Sequence, residues 1–185
     1  MILTKPLFIT LLFRVLFINI SNKLLLMIPD KLMKYDPVLF SKGKRGLIFT
    51  FVKNKKTYAI KVKNPSSEAI NRINIEADFL KLLNKYKIGP KLIESGDNFI
   101  VYEFIHGITL KEFLKTKKLS KKLISDIMSQ CRILDELKIN KEEMHHPYKN
   151  IIINKNKAYL IDFERCHFTS RVKNVNQFKD FLRDF

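Results

Sequence analysis

Runs of apolar residues after Pro37 predict three β-hairpins along the chain. The runs 46–53 (GLIFTFVK) and 57–64 (TYAIKVKN) are rich in β-branched and aromatic residues, and only three polar residues separate them. A second hairpin is predicted over 91–107, where two apolar runs flank a Gly-Asp turn. A third covers 150–163, where the runs NIII and AYLI flank a polar turn.

Helical spacing first appears over 66–86, directly after the first hairpin. Apolar residues recur there three or four positions apart, at Ile70, Ile73, Ala77, Leu80 and Leu83. Ser66 or Ser67 is the expected N-cap, because a short side-chain oxygen can accept from the first free amides of a helix. Gly89 and Pro90 are expected to end this segment.

Two further helices are predicted after Gly107. Thr109 is expected to start a short helix over 110–115, and Ser120 to cap a longer one. The apolar stripe of the longer helix is formed by Leu123, Ile127, Cys131, Leu134 and Leu137. A weaker helical pattern ends the chain over 175–185. The order hairpin, helix, hairpin, two helices, hairpin, helix predicts the α+β class, with a β-rich first half and a mainly helical second half that meet near Gly107.

Composition narrows the class of protein only slightly. The 185 residues suffice for one domain or for two small lobes, and 46% of them are hydrophobic, so a packed core is expected. Two cysteines are too few for a disulfide framework, which favours reduced thiols and a cytoplasmic protein. The net charge of +17 would suit RNA, a ribonucleoprotein or a phosphate-rich ligand. AT-rich coding sequence would also produce this excess of lysine, since the chain is rich in Lys, Ile and Asn together. Both explanations stay open.

The segment 7–20 (LFITLLFRVLFINI) is apolar except for Thr10, Arg14 and Asn19. It is shorter than the roughly 20 residues that span a bilayer, and no clear signal-peptide cleavage site follows it. A membrane-surface or weak spanning segment, a helix packed on the domain and an upstream extension of a gene that starts at Met27 or Met33 remain as interpretations. We favour the last two, and on either of them no membrane association is expected.

The segment 41–48 (SKGKRGLI) lies between two predicted strands and follows the pattern G-x-G-x-x-G-x-V. Ser41 stands in place of the first glycine and Ile48 in place of the valine. Gly43 and Gly46 would let the backbone close over phosphate groups without an intervening Cβ. By themselves, two glycines three positions apart are also typical of a plain turn.

The tetrapeptide YAIK ending at Lys61 resembles the V-A-I-K motif of the third kinase strand. In that motif Ala59 leaves room for an adenine ring, and Lys61 binds the α- and β-phosphates. Glu76 follows fifteen residues later, close to the apolar face of the predicted helix, where an unpaired carboxylate would be costly. A Lys61–Glu76 ion pair would remove that cost and orient the lysine. The alternatives are an ordinary strand lysine and a half-exposed helix glutamate.

Asn150 and Asp162 stand at the two open ends of the last predicted hairpin. An antiparallel hairpin brings its open ends together, so an amide oxygen and a carboxylate would meet at one point. Such hard oxygen ligands suit Mg²⁺ that bridges phosphate groups. The alternative is that Asp162 forms an ion pair with Arg165 or with a nearby lysine.

With these motifs in this order, the chain resembles the small atypical serine/threonine protein kinases of archaea. That group is related to the RIO kinases and to the kinase of the KEOPS complex. The resemblance covers roughly residues 41–184, and the phrases IGPKLIESG, FIVYEFIHG and YLIDFERC carry it most clearly. It implies a protein-kinase-like two-lobed fold with a β-rich N-lobe and a truncated, mainly helical C-lobe.

The resemblance also implies boundaries and cofactors. Residues 1–32 would be an apolar extension, 33–106 the N-lobe and 107–185 a minimal C-lobe. The cofactors would be ATP and Mg²⁺, and the γ-phosphate would be transferred to a hydroxyl group. The segment 101–107 (VYEFIHG) would be the hinge between the lobes, where Glu103 and Ile105 offer a backbone carbonyl and an N–H to the adenine edge. The protein substrate or docking partner is not indicated.

The chain departs from the kinase pattern at the catalytic loop. The motif H-R-D-L-x-x-x-N is missing, and the position five residues before Asn150 holds His145. Glu143 lies seven residues before Asn150, and a longer loop would bring it to the substrate hydroxyl as the catalytic base. His145 or His146 is the alternative base.

The metal loop departs as well. Glu164 replaces the glycine of the D-F-G motif, and it would offer a further metal ligand or a salt bridge to Arg165. Only 21 residues follow Glu164, so an activation segment is not expected within this sequence.

Two other functions remain open. A sugar, lipid or other small-molecule kinase is one, because IDFER also resembles the metal loop of sugar and lipopolysaccharide kinases. A non-catalytic nucleotide-binding or RNA-associated module is the other, favoured by the basic charge and the missing aspartate.

Overall fold

The computed structural model describes residues 27–183. The chain divides between Pro37 and Val38 into two compact units. In the first unit the described part contains a short helix, α1 (Asp30–Met33). The apolar segment 7–20, for which a packed helix or an upstream extension is expected, lies outside the described residues. Within the described range, none of the helices has the length and apolarity needed to cross a membrane.

The second unit begins with an antiparallel sheet of five strands. Their bounds are β1 (Val38–Lys42), β2 (Gly46–Lys53), β3 (Lys56–Lys63), β4 (Leu92–Gly96) and β5 (Phe99–Glu103). The spatial order is β1-β2-β3-β5-β4. The β2–β3 hairpin closes through Asn54 and Lys55, both with positive φ, which is the backbone that a two-residue loop between twisted strands requires. The first two predicted hairpins are therefore confirmed, and β3 lies at the centre of the sheet.

Helix α2 (Arg72–Leu83) follows β3 and begins later than the sequence pattern predicts. The expected cap at Ser66 or Ser67 is wrong, because these residues lie in an irregular segment before the helix. The Asn64 side chain accepts from the amide of Ser66, and the Ser67 hydroxyl accepts from a neighbouring amide. Such local side-chain bonds compete with helix formation. Ile70 consequently stands outside the helix and is 82% exposed, although its spacing predicted a buried position.

The remaining elements are mainly helical with short strands. The helices are α3 (Leu110–Leu114), α4 (Lys121–Glu136) and α5 (Asn174–Arg183). The strands are β6 (Ile108–Thr109), β7 (Ile139–Asn140), β8 (Ile151–Asn154), β9 (Lys157–Leu160) and β10 (His167–Phe168). Thr109 and Ser120 cap α3 and α4 through their side-chain oxygens, as predicted.

Two small sheets position the end of the last hairpin. Strands β6, β8 and β9 form one sheet, and β7 pairs with β10 in the other. Helix α4 is fixed to β9 by Asp126 and Gln130, whose side chains bond the backbone N–H and C=O of Ala158. Phe163 is fully buried directly after the hairpin, so its two neighbours along the chain are held in place.

The α+β class is therefore confirmed for the described residues. One continuous apolar core includes side chains from α2, α4, α5 and the β8–β9 hairpin. Cys131 and Cys166 are both free thiols and both belong to this core.

Candidate functional site

Lys61 lies at the centre of a cluster of three carboxylates. Its Nζ atom is 2.6 Å from Oε2 of Glu76, 3.1 Å from Oδ1 of Asp162 and 3.1 Å from Oε2 of Glu164. The lysine is only 7% exposed. A buried ammonium group of this kind requires compensation, and the strand, the helix and the chain after β9 all contribute to it.

Glu76 connects this cluster to the segment after the last hairpin. It projects from α2 and is 2% exposed. While Oε2 accepts from Lys61, Oε1 accepts from the backbone N–H of Phe163 at 3.3 Å. The expected contact between Lys61 and Glu76 is therefore present. Glu76 also fixes the peptide that follows Asp162.

At the open end of the β8–β9 hairpin Asn150 lies opposite Ile161, the residue before Asp162. The N–H of Ile161 donates to the carbonyl of Asn150 at 2.9 Å. Asp162 itself has a φ of 63°, an uncommon backbone for a non-glycine residue. Lys141, which is 2% exposed, stabilises it by donating from Nζ to the Asp162 carbonyl at 3.0 Å.

Glu164 links the cluster to helix α2 and to residues 43–46, which we call the glycine segment. Its Oε1 atom accepts from Arg45 at 3.1 Å, and its backbone carbonyl accepts from Arg72 at 3.2 Å. The expected alternatives for this residue were a metal ligand or a salt bridge to Arg165. In the structure the salt bridges of Glu164 are made with Lys61 and Arg45 instead.

The glycine segment lies directly beside Lys61. A Cβ added to Gly46 would approach the Lys61 Cε atom to 3.0 Å, so a side chain there would displace the lysine. The amide of Gly43 donates to the Gly46 carbonyl at 2.9 Å, which makes the segment a tight turn. The side chain of Asn64 donates to the Gly43 carbonyl at 2.9 Å and fixes the turn against β3.

The electrostatics of the cluster favour its charged forms. Burial alone would lower the pKa of Lys61, but Glu76, Asp162 and Glu164 outweigh it and raise that pKa well above 10.5. Burial also raises the pKa of Asp162, yet Lys61, Lys141 and Arg45 together hold it below 3.8. For Glu76 burial is the largest influence and raises its pKa, and the contact with Lys61 opposes the change.

Three carboxylates of the cluster offer the donor set of a hard cation. One oxygen each from Glu76, Asp162 and Glu164 lie within 4.8 Å of one another. Mg²⁺ prefers carboxylate, amide and water oxygens, so the chemistry of these donors fits it. Asn150, the other expected metal ligand, donates from its Nδ2 atom to Glu143 at 3.3 Å.

Glu143 lies next to Asn150 but is engaged by a second partner. One of its oxygens accepts from Asn150, and the other forms an ion pair with Arg165. Arg165 also binds Glu142 at 2.7 Å. Both glutamates have positive φ, 62° and 58°, so this loop holds an unusual backbone that two carboxylate contacts stabilise.

The alternative base, His145, is exposed and lies in the same loop. Its ring centroid is 4.6 Å from that of His146. The backbone N–H of His146 donates to the Glu143 carbonyl at 3.0 Å, which closes a turn between the glutamate and the histidines.

The expected adenine contacts are distributed over β2, β3 and the end of β5. Ala59 is fully buried opposite Tyr102, and Ile48 is opposite Lys61 in the register of β2 and β3. The amide of Glu103 donates to the Lys91 carbonyl at 2.9 Å. Ile105 follows the strand, and its amide makes no backbone hydrogen bond to residues 27–183.

Four contributions to the site were missed by the sequence analysis. These are the Arg45–Glu164 bridge, the Glu164–Lys61 contact, the buried Lys141 and the bridging Arg165. The sequence shows that these residues are charged, but it does not specify their partners, which lie between about 20 and 119 positions away.

Neither the family models nor the curated proteins contain a match to this chain. The functional assignment therefore rests on the geometry of the described residues.

Proposed function

We propose that this protein is an ATP-dependent phosphotransferase that uses Mg²⁺ and has a protein-kinase-like two-lobed fold. The observation that carries the proposal is the Lys61–Glu76 ion pair beside Asp162 and Gly46. In a phosphoryl-transfer site the lysine holds the α- and β-phosphates, a helix glutamate orients it, and a carboxylate holds the metal. The N-lobe would be 33–106 and the C-lobe 107–185.

Each residue of the cluster has a distinct task in this proposal. Lys61 and the turn from Gly43 to Gly46 hold phosphate oxygens, while Glu76 fixes the lysine. Asn150 and Asp162 hold Mg²⁺, which neutralises charge on the phosphates when bound. The adenine lies against Ala59 and Ile48, with its edge at the backbone of Glu103 and Ile105.

Glu143 is the base in the proposed reaction. It accepts the proton of the acceptor hydroxyl while the hydroxyl oxygen bonds to the γ-phosphorus. The bond from that phosphorus to the β-phosphate oxygen breaks, and ADP leaves with the electron pair. Arg165 and Asn150 position the carboxylate. A serine or threonine hydroxyl is the acceptor that the resemblance to the archaeal kinases implies.

A nucleotide-binding module without transfer is the second candidate. The specific observation in its favour is that both oxygens of Glu143 already have partners, and that His145 stands where a catalytic aspartate is expected. RNA or a ribonucleoprotein would suit the net charge of such a module.

The test is transfer of labelled γ-phosphate from ATP in the presence of Mg²⁺, measured as autophosphorylation, transfer to generic protein acceptors and release of ADP. We expect activity in the wild type and its loss in Asp162→Asn. The matched control is Asp97→Asn, which removes the same charge from the exposed β4–β5 turn. Nucleotide binding without any turnover in the wild type would favour the non-catalytic module.

A further inference from the structure

A cavity of about 620 Å³ lies directly beside Glu143, outside the Lys61 cluster. It is an open pocket lined by the Glu142–Glu143 loop, by the paired strands β7 and β10, and by the start of α5. All ten residues that line it are polar or charged. A lining of this kind offers many hydrogen-bond donors and acceptors beside the carbon atoms of its long side chains.

The walls of this cavity are fixed by hydrogen bonds, one of them buried and two part-buried. The amide of Lys141 donates to the Asn174 side chain at 2.8 Å, and the amide of Met144 donates to Gln177 at 3.2 Å. On the opposite side the amide of Lys173 donates to Asn140 at 3.1 Å. The start of α5 is therefore held against the loop that carries Glu143.

The charges in the cavity are unevenly matched. Arg165 is paired with both Glu142 and Glu143, so the cavity carboxylates already have a cation. Arg171 and Lys173 are exposed in the cavity wall, and neither forms an ion pair with any residue of the described range 27–183. Two cations without counterions thus face the same cavity as the proposed base.

We propose that this cavity binds the phosphoryl acceptor, and that the acceptor is a small polyhydroxyl compound with an anionic group, such as a sugar phosphate. This inference rests on the proposed phosphotransferase function, and it replaces the serine or threonine hydroxyl that the resemblance implies with a hydroxyl of a small molecule. Arg171 and Lys173 bind the anionic group, since arginine and lysine are strong donors to phosphate and carboxylate oxygens. A hydroxyl at the other end of the compound then donates its proton to Glu143. The polar lining hydrogen-bonds the remaining hydroxyl groups.

Binding to the cavity is tested without ATP, so that it is separate from catalysis. Calorimetric titrations use ribose 5-phosphate and glucose 6-phosphate as probes, with ribose and glucose as uncharged counterparts. The variant Arg171→Gln/Lys173→Gln is compared with Lys117→Gln/Lys118→Gln, which removes two charges from exposed lysines outside the cavity. We expect at least one sugar phosphate to bind, and the corresponding uncharged sugar to bind at least about tenfold more weakly. Only the cavity variant should lose affinity for the sugar phosphate.

The outcomes separate this inference from the proposed function. Selective binding without phosphate transfer from ATP would reject the phosphotransferase and leave the anionic polyol site intact. Absence of binding by both sugar phosphates at millimolar concentration would overturn the inference. Equal losses in the two double variants would also overturn it, because they would show diffuse attraction by the basic surface. Tight binding of a short RNA that depends on Arg171 and Lys173 would assign the cavity to nucleic acid instead.

Discussion

The ammonium group of Lys61 and the carboxylate of Glu76 are 2.6 Å apart, and each is less than a tenth exposed. One lies on the central strand of the sheet and the other on the helix that follows it, so the pair fixes the helix to the sheet. Neither charge is tolerable alone at this depth. The position of the helix and of the segment around Asp162 against the sheet therefore depends on this pair.

Replacing Lys61 with methionine leaves three carboxylates without their shared cation. We expect Lys61→Met to lower the free energy of unfolding by about 3–5 kcal/mol, the usual cost of removing one partner from a buried ion pair. Urea denaturation measures this loss. The control is Lys63→Met on the same strand, where we expect a change within about 0.5 kcal/mol. Equal stabilities of Lys61→Met and Lys63→Met would contradict a central role for the lysine.

Glu164 is expected to fix the glycine segment through Arg45. In Glu164→Gln the ion pair with Arg45 is lost, while the size of the side chain is kept. Amide hydrogen exchange over 43–46 should then accelerate, because the turn keeps only its own hydrogen bond and the contact from Asn64. Glu68→Gln, at an exposed position before α2, is the matched control. Unchanged exchange in Glu164→Gln would show that the bridge does not order the segment.

Acid should remove the contribution of Asp162 to stability. Lys61, Lys141 and Arg45 overcome burial and hold its pKa below 3.8, so the unfolded chain binds this proton more readily than the folded chain does. The stabilisation is complete above pH 3.8 and is lost as the pH falls through the lower folded-state pKa. The difference in unfolding free energy between wild type and Asp162→Asn should therefore be constant near neutral pH. In acid the wild type should lose stability relative to Asp162→Asn. A difference that stays constant down to pH 3 would refute the lowered pKa of Asp162.

Glu143 and His145 are distinguished by their effects on transfer and on binding. We expect Glu143→Gln to abolish phosphate transfer while ATP still binds, since the carboxylate lies next to Asn150 and outside the Lys61 cluster. His145→Ala should retain transfer, because the imidazole is exposed and the structure gives it no polar contact with Asn150. Rates under saturating ATP, with ATP affinity measured separately, test both variants. The reverse pattern would make the histidine the base.

The two thiols should be chemically inert in the folded protein. Burial raises the pKa of Cys131 and of Cys166 to about 12, so almost no thiolate forms near pH 8. A thiol reagent should therefore label neither cysteine in native protein and both after unfolding. Rapid labelling of Cys166 in the native state would show that the segment after Phe163 opens.

Most of the secondary structure could be predicted from the sequence, because its signals are local. The turn residues between strands and the caps at Thr109 and Ser120 follow directly from side-chain chemistry. The pairing of Lys61 with Glu76 was also expected, since each residue alone would be a costly buried charge. The start of α2 was not predictable from periodicity, because the side chains of Asn64 and Ser67 bond the backbone locally.

The rest of the candidate site depends on contacts between distant parts of the chain. Arg45 meets Glu164 across 119 positions, and no pattern in either segment specifies that pair. A pair of Arg165 with Asp162 or Glu164 was one of the alternatives that the sequence left open, yet Arg165 binds Glu142 and Glu143. Between Asp162 and Arg165 the chain also turns through the positive φ of Asp162, a backbone that aspartate tolerates but that its presence does not predict.

A thermal-shift titration with ATP and Mg²⁺ tests whether Lys61 and Asp162 form a nucleotide–Mg²⁺ site. Ligand at a hundred times its Kd adds roughly 2.7 kcal/mol of stability, which should raise the Tm of a domain this size by roughly 5–10 °C. We predict this shift in the wild type and its loss in both Lys61→Ala and Asp162→Ala, each compared with its own ligand-free Tm. No shift in the wild type at millimolar ATP, or an equal shift in all three proteins, would contradict the account.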